Sequence, residues 1–258
     1  MRKLMVTSQS GTVTRADLIP IGRLPGNPIQ EMQKRLLLWD IDATLISTGG
    51  AGEKALRRIV QRRFGVEDDL HDIEIAGRTD AAIAASILRK YGVEQTADKA
   101  AAFLDEYIAG LEEMLPQIPG RVLPGIAELL LRMEAKPDRV LGLLTGNLRR
   151  GAELKLQRYG LWDYFAFGAF ADDHADRNQL GAFARARAQE HHQQEFHGAQ
   201  IDVIGDTGHD INCGKFFGAR TIAVATGTWT REQLAAHEPD FLFDDLSQVD
   251  EVIGALGW

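Results

Sequence analysis

The feature that most constrains the fold is a set of short, almost wholly apolar runs that alternate with stretches of helical periodicity. A strand that is apolar on both faces is buried on both faces, as in a parallel sheet covered by helices. Strands that alternate with helices in this way predict an α/β, doubly wound parallel sheet. Strands are predicted at residues 36–39, 140–144, 201–204, 221–225 and 240–243. Helices are predicted between them at residues 125–135, 149–159, 181–191 and 211–217.

Residues 52–119 depart from this alternation, because they contain helical periodicity and no strand-like run. Helices are predicted there at residues 53–64, 80–91 and 96–115. Glycine-rich and proline-rich connections flank the region, so we expect an inserted helical cap. Such connections suit a lid that moves on hinges. A helical subdomain that does not move is the alternative, because it would show the same sequence pattern. The predicted division is therefore an N-terminal extension (1–33), a core (34–51 and 120–258) and a cap (52–119). The extension shows no periodicity and is interpreted as mobile, or as the result of a start codon assigned too early.

Composition narrows the class of protein and its partners. The 258 residues are 45% hydrophobic and 26% charged, which is typical of a globular protein. The net charge of -8 argues against nucleic acid as a partner, because binding to it favours a basic face. No run approaches the roughly 20 apolar residues of a membrane helix. The single Cys213 excludes an internal disulfide framework and fits a reducing cytoplasm. We therefore expect a cytoplasmic monomer or homodimer with neither a membrane nor a nucleic-acid partner.

Polar clusters follow three of the predicted strands, where ligands bind in doubly wound sheets. Any one cluster could be an ordinary turn, but their coincidence predicts one site. A carboxylate can attack a phosphoryl group and carry it covalently, and a second carboxylate two residues away can donate and accept the protons. The clusters are Asp40 and Asp42 after the first strand, Thr145, Gly146 and Asn147 after the second, and Asp206 and Asp210 after the third.

These motifs resemble those of the haloacid dehalogenase-like (HAD) hydrolase superfamily, in its phosphatase branch with a helical (C1-type) cap, similar to phosphoglycolate phosphatases. The resemblance covers roughly residues 35–256 and implies a Rossmann-like core. The family's first motif is Asp-x-Asp-Gly-Thr, and the chain has Asp40-Ile41-Asp42-Ala43-Thr44, with Ala43 in place of glycine. The resemblance implies that Asp40 is the nucleophile and a Mg²⁺ ligand. It implies that Asp42 is the general acid/base, with its backbone carbonyl as a further ligand.

The same resemblance assigns the remaining motifs. It implies that Asp206 and Asp210 complete the Mg²⁺ site, and that Thr145, Gly146 and Asn147 bind the phosphate. The motif cation has two candidates, Arg177 and Lys155; Arg177 is favoured, because it precedes the fourth motif at about the distance usual in the family.

The predicted cap contains the segment Ala76-Gly77-Arg78-Thr79-Asp80. Asp80 is expected to cap a helix that begins at Ala81. In capped family members a loop of the cap contacts the leaving group, so Arg78 is a candidate for substrate binding; a solvent-exposed arginine in a helix-entry turn is the alternative.

Together these observations predict a Mg²⁺-dependent phosphatase that acts on a small phosphorylated metabolite. Asp42 favours phosphoryl transfer over dehalogenation, because a halide leaving group needs no proton and an alkoxide does. Three alternatives stay open. They are a phosphomutase of the β-phosphoglucomutase type, a phosphonate hydrolase that would need a cap lysine such as Lys54, and a non-catalytic phospholigand-binding protein. The last has no need for both Asp40 and Asp42.

Overall fold

The computed structural model describes residues 33–258, so the predicted extension lies, but for residue 33, outside the described residues. The strands are β1 (Arg35–Trp39), β2 (Ile46–Ser47), β3 (Arg121–Val122), β4 (Arg139–Leu144), β5 (Gly168–Ala169), β6 (Ile201–Gly205), β7 (Arg220–Val224) and β8 (Phe241–Phe243). The α-helices are α1 (Ala51–Phe64), α2 (Asp80–Lys90), α3 (Ala97–Met114), α4 (Ile126–Glu134), α5 (Arg149–Arg158), α6 (Arg177–His192), α7 (Gly208–Phe216), α8 (Arg231–Ala235) and α9 (Val249–Leu256). Within residues 33–258, no helix has both the length and the apolar character needed to cross a membrane.

The central sheet has six strands in the order β5-β4-β1-β6-β7-β8, and every neighbouring pair is parallel. This confirms the predicted α/β parallel sheet flanked by helices. The chain runs from β1 to β4 on one side and later returns to β6 on the other, which makes the end of β1 a topological switch point. The carboxyl ends of β1, β4 and β6 therefore lie side by side, at the place where such sheets bind ligands.

Strand β1 contains an uninterrupted apolar run because helices cover both of its faces. Leu37 and Trp39 pack in a cluster with residues of α4 and α9 on one face of the sheet. Leu36 and Leu38 pack on the other face against Leu180 and other residues of α6. These four side chains have no exposed surface. Because successive side chains of a strand point to opposite faces, both helix layers depend on the same short run.

Helices α1, α2 and α3 lie between β2 and β3 and are called here the helical segment (residues 51–114). They have their own hydrophobic cluster, which includes Ile59, Ile87 and Phe103. The strands β2 and β3 pair in antiparallel fashion, so the chain enters and leaves the helical segment side by side. The two connections approach each other closely, because a Cβ on Gly49 would lie 2.1 Å from the carbonyl oxygen of Pro119. The division into a core and a cap stays a prediction.

Candidate active site

A cavity of about 250 Å³ lies at the carboxyl ends of β1, β4 and β6, beneath the helical segment. The predicted site residues that line it are Asp40, Asp42, Arg78, Gly146, Asn147, Lys155, Arg177 and Asp206. The other two, Thr145 and Asp210, are buried beside it, with 0% and 2% of their surface exposed. The fold thus brings together residues that are far apart in the sequence.

Three carboxylates form a compact, buried cluster. Oxygen atoms of Asp40, Asp206 and Asp210 all lie within 4.8 Å of one another. Burial raises the pKa of Asp40 to about 7; Arg177 acts against this increase, and the charges of Asp210 and Asp42 add to it. Burial, followed by Asp210 and Asp40, raises the pKa of Asp206 well above its usual value. The protein therefore holds more negative charge here than it neutralises, which favours a bound cation.

Arg177 is the cation that reaches this cluster. It is the first residue of α6, and its Nη2 donates to Oδ1 of Asp40 at 2.8 Å and also to Oδ1 of Asp210. Its Nη1 donates to the carbonyl oxygen of Gly77 at 2.9 Å. Burial acts to lower the pKa of Arg177, but Asp210 and Asp40 raise it, so the guanidinium stays charged. Arg177 therefore joins two carboxylates of the sheet to the backbone that leads into α2.

Lys155 contacts the other carboxylate of the first motif. Its Nζ, on the buried face of α5, donates to Oδ2 of Asp42 at 2.6 Å and to Oδ1 of Asn147 at 2.5 Å. The Nδ2 of Asn147 donates to the same Asp42 oxygen at 2.8 Å and to Oγ1 of Thr145 at 2.8 Å. The two candidate cations are thus both buried in the site, where Arg177 binds Asp40 and Lys155 binds Asp42.

The helical segment supplies the opposite wall and docks on β4 through Asp80. The backbone N–H of Asp80 donates to the carbonyl oxygen of Gly146 at 2.7 Å, and its Oδ2 accepts from the N–H of Leu148 at 2.7 Å. Burial raises the pKa of Asp80 to about 6, while the charge of Lys155 acts to lower it. The expectation that Asp80 caps the helix was wrong. Thr79 is the N-cap, because its extended backbone lets its hydroxyl accept from the N–H of Ala82, and Asp80 is already helical.

Comparisons with known proteins agree with this geometry. A family model described as haloacid dehalogenase-like hydrolase matches residues 37–215. The chain belongs to the haloacid dehalogenase-like hydrolase family. The chain is 29% identical over 232 residues to the "Probable phosphatase IndB" of Dickeya dadantii, which covers 86% of this chain and 93% of that protein. It is 27% identical over 146 residues to a phosphoglycolate phosphatase of Synechococcus elongatus, which covers 57% of this chain and 65% of that one.

A solved structure of a hydrolase from Pseudomonas syringae is similar in fold to this haloacid dehalogenase-like hydrolase, with a TM-score of 0.70 and 16% identity. The match covers 86% of this chain and 99% of that chain. The resemblance that the sequence motifs suggested is therefore confirmed at the level of family and fold. The expectation of an enzyme of the phosphatase type is confirmed as well, since curated relatives of this hydrolase are named phosphatases and pyrophosphatases.

The first-motif loop of the hydrolase shows what the replacement of glycine by Ala43 requires. Ala43 has a φ of 57°, in the left-handed region that favours glycine. Its N–H donates to the carbonyl oxygen of Ile46 at 2.8 Å, which closes the loop after Asp42. The loop keeps the shape that glycine would adopt freely, and Ala43 carries the conformational cost.

Several cavity residues were not predicted as site residues, among them Gly227, Thr228 and Tyr107. Gly227 and Thr228 follow β7, and a Cβ on Gly227 would lie 1.7 Å from Oδ2 of Asp206, so only glycine leaves that carboxylate its place. The rule that found the other clusters, polar residues after an apolar run, could have found this one. Tyr107 of α3 carried no such signal, because an aromatic residue at helical spacing is indistinguishable from a core residue.

Proposed function

We propose that this hydrolase is a Mg²⁺-dependent phosphatase of small phosphate monoesters that works through an aspartyl-phosphate on Asp40. The observation that carries the proposal is that one cavity contains two carboxylates with different surroundings. Asp40 lies in a buried acidic cluster with Arg177, whereas Asp42 is held apart by Lys155 and Asn147. Two carboxylates in such different surroundings suit a nucleophile and a proton donor. The names of the curated relatives, phosphatases, support the same reaction.

The acidic cluster fits a divalent metal. Asp40, Asp206 and Asp210 would hold Mg²⁺, together with the backbone carbonyl of Asp42, since Mg²⁺ prefers carboxylate and carbonyl oxygens. Burial and mutual repulsion raise the pKa values of Asp40 and Asp206, so the described residues leave negative charge uncompensated. Bound Mg²⁺ supplies the positive charge that lets these carboxylates and a phosphate dianion share the cavity.

The proposed reaction has two displacements at phosphorus. A carboxylate oxygen of Asp40 forms a bond to phosphorus, the bond from phosphorus to the ester oxygen breaks, and Asp42 gives its proton to the departing alkoxide. In the second step a water attacks phosphorus and transfers a proton to Asp42. The bond between phosphorus and Asp40 then breaks and inorganic phosphate leaves. Lys155 and Asn147 both donate to Oδ2 of Asp42, which leaves Oδ1 to carry the proton to and from the reacting oxygen.

The remaining residues would bind and enclose the phosphate. Thr145 accepts from Asn147, and within residues 33–258 neither its hydroxyl nor the N–H of Gly146 donates to another group, so both could donate to a phosphate oxygen. Arg177 would be the motif cation that pairs with Asp40 and the phosphate, with Lys155 positioning Asp42. Arg78 at the rim would contact the outer part of the ester.

The division into a core (34–51 and 120–258) and a cap (52–119) belongs to this proposal. The helical segment lies over the cavity and would exclude bulk water during the first displacement, which strengthens the electrostatic interactions inside. A small phosphorylated metabolite is the proposed partner of a cytoplasmic monomer or homodimer, without nucleic acid or membrane. The phosphomutase alternative is not favoured, since the curated relatives are named phosphatases and pyrophosphatases.

The test is release of inorganic phosphate from a panel of phosphate monoesters, with Mg²⁺ and with EDTA. Asp40→Asn is expected to lower kcat on the order of 10³-fold or more, because an amide is not a nucleophile. Asp98→Asn, at an exposed position of α3, is the matched control and should keep its activity. Circular dichroism and urea unfolding would show that both variants fold. Release that persists in Asp40→Asn, or that EDTA leaves unchanged, would contradict the proposal.

A further inference from the structure

One wall of the cavity belongs to the helical segment. Leu56, Ile75 and Ile83 supply apolar surface there. Its polar side chains include the carboxylates of Glu53 and Asp80, the guanidinium of Arg78 and the hydroxyl of Tyr107. A leaving group attached to a phosphate bound at Asp40 would extend toward this wall, so these side chains decide which alcohols the enzyme accepts.

Tyr107 lines the cavity, and its hydroxyl makes no hydrogen bond with any group among residues 33–258. The residue as a whole is 3% exposed. Burial, followed by the charges of Asp80 and Asp42, raises the pKa of Tyr107 well above its usual value, so the hydroxyl keeps its hydrogen. The small residue at position 52 leaves room, because a Cβ on Gly52 would lie 3.1 Å from this hydroxyl. A protonated hydroxyl that lines the cavity without a protein partner is available to donate a hydrogen bond to a ligand.

The charges around this wall disfavour a second anionic group. Lys155 is engaged with Asp42, and Arg177 is engaged with Asp40 and Asp210. Arg78 is 42% exposed at the rim, with its Nη1 3.7 Å from Glu74. Glu53 is ion-paired with Arg57, so Asp80 is the buried carboxylate of this wall that has no salt bridge among residues 33–258. A carboxylate or a second phosphate on the leaving group would meet like charge at short range.

We propose that the substrate is the phosphate monoester of a neutral, hydroxyl-bearing alcohol, such as a polyol or a sugar, and that Tyr107 binds a hydroxyl of the leaving group. The inference rests on the proposed phosphatase function and goes beyond it by naming the substrate class. Tyr107 can donate to an alcohol oxygen, while Asp80 and Glu53 can accept from alcohol hydrogens. The cavity of about 250 Å³ suits a small ester, because sites for drug-sized ligands start at about 300 Å³. Tyr107 is a specificity-determining residue in this scheme and takes no part in the displacement at phosphorus.

The test compares kcat/KM for esters of matched size in the Mg²⁺-loaded enzyme. Glycerol phosphate and ribose phosphate carry neutral hydroxyls, propyl phosphate has none, and phosphoglycolate and pyrophosphate carry a second anion. The wild type is expected to prefer the hydroxylated esters to propyl phosphate and to both anionic substrates. Tyr107→Phe should lower kcat/KM for glycerol phosphate about 3- to 10-fold and leave propyl phosphate unchanged within about twofold, since one hydrogen bond is lost. Tyr91→Phe is the matched control, because Tyr91 stacks on Phe64 outside the cavity.

Two results would overturn the inference while leaving the phosphatase function intact. One is a preference for phosphoglycolate or pyrophosphate that Arg78→Gln abolishes, which would assign the leaving-group site to Arg78. The other is an equal loss for glycerol phosphate and propyl phosphate in Tyr107→Phe, which would make Tyr107 a packing residue only. A different result, no phosphate release from any ester by the wild type, would refute the phosphatase function and the substrate class together.

Discussion

Replacement of Asp80 by asparagine tests the electrostatics of the contact between the helical segment and the sheet. Asp80 is buried, and its Oδ2 accepts from the N–H of Leu148, a bond that the amide oxygen of asparagine can keep. Burial raises the pKa of the carboxyl from 3.8 to about 6. The folded protein therefore holds the proton more tightly than the unfolded chain does, and ionised Asp80 reduces the free energy of unfolding.

The size of the effect follows from that shift and depends on pH. Below pH 3.8 the carboxyl is protonated in both states and costs nothing; the cost grows as the pH rises toward 6 and is complete above it. At about 1.4 kcal/mol for each unit of pKa, the full cost is about 3 kcal/mol, of which about half is present at pH 5. Asparagine does not titrate. The stability advantage of Asp80→Asn over the wild type should therefore widen by about 1 kcal/mol between pH 5 and pH 8.

The measurement is urea unfolding of the wild type and Asp80→Asn at both pH values, with the difference in free energy of unfolding compared between them. Asp98→Asn serves as the control, since its exposed carboxylate should change stability by no more than about 0.5 kcal/mol at either pH. A difference for Asp80→Asn that is the same at pH 5 and pH 8, or a variant less stable than the wild type at pH 8, would refute the reasoning.

Two further predictions concern the cations and the first motif. If Arg177 pairs with the phosphate, Arg177→Met should weaken competitive inhibition by inorganic phosphate about tenfold or more. If Lys155 positions Asp42, Lys155→Met should lower kcat and leave the inhibition constant for phosphate largely unchanged. The reverse pattern would exchange the roles of the two residues. Ala43→Gly should relieve the left-handed backbone and raise the free energy of unfolding by about 0.5 to 1 kcal/mol in urea titrations, and a loss of stability would show that the φ of 57° carries no strain.

The elements that the sequence predicted are those whose physical cause is local. Strand β1 could be recognised because both of its faces are buried, which demands an apolar residue at every position. Strands β2, β3 and β5 have two residues each, too few to show any periodicity, and only their pairing partners define them. Helix α6 begins at Arg177, four residues before its predicted start, because the N-cap Asp176 accepts from the N–H of Asn178.

The sequence predicted which residues form the site, but it did not predict which hydrogen bonds and ion pairs join them. Asp40, Asp42 and Asp206 follow apolar strands, and the adjacency of parallel strand ends predicts that such side chains meet. No spacing rule could tell that Arg177 would bridge Asp40 and Asp210, or that Lys155 would bind Asp42, because those contacts depend on how α5 and α6 pack against the sheet.

The sequence by itself determined the parallel sheet, the family and the set of acidic residues at the strand ends, because burial and turn chemistry act over a few neighbouring residues. Only the tertiary structure determined which residues form the cavity wall that faces these acidic residues. Tyr107 reads as a core residue along α3, and it becomes part of the cavity because the helical segment docks through Asp80 on the end of β4. Burial and pKa shifts at this wall arise from groups distant in sequence, so the character of the leaving-group site is a property of the packing.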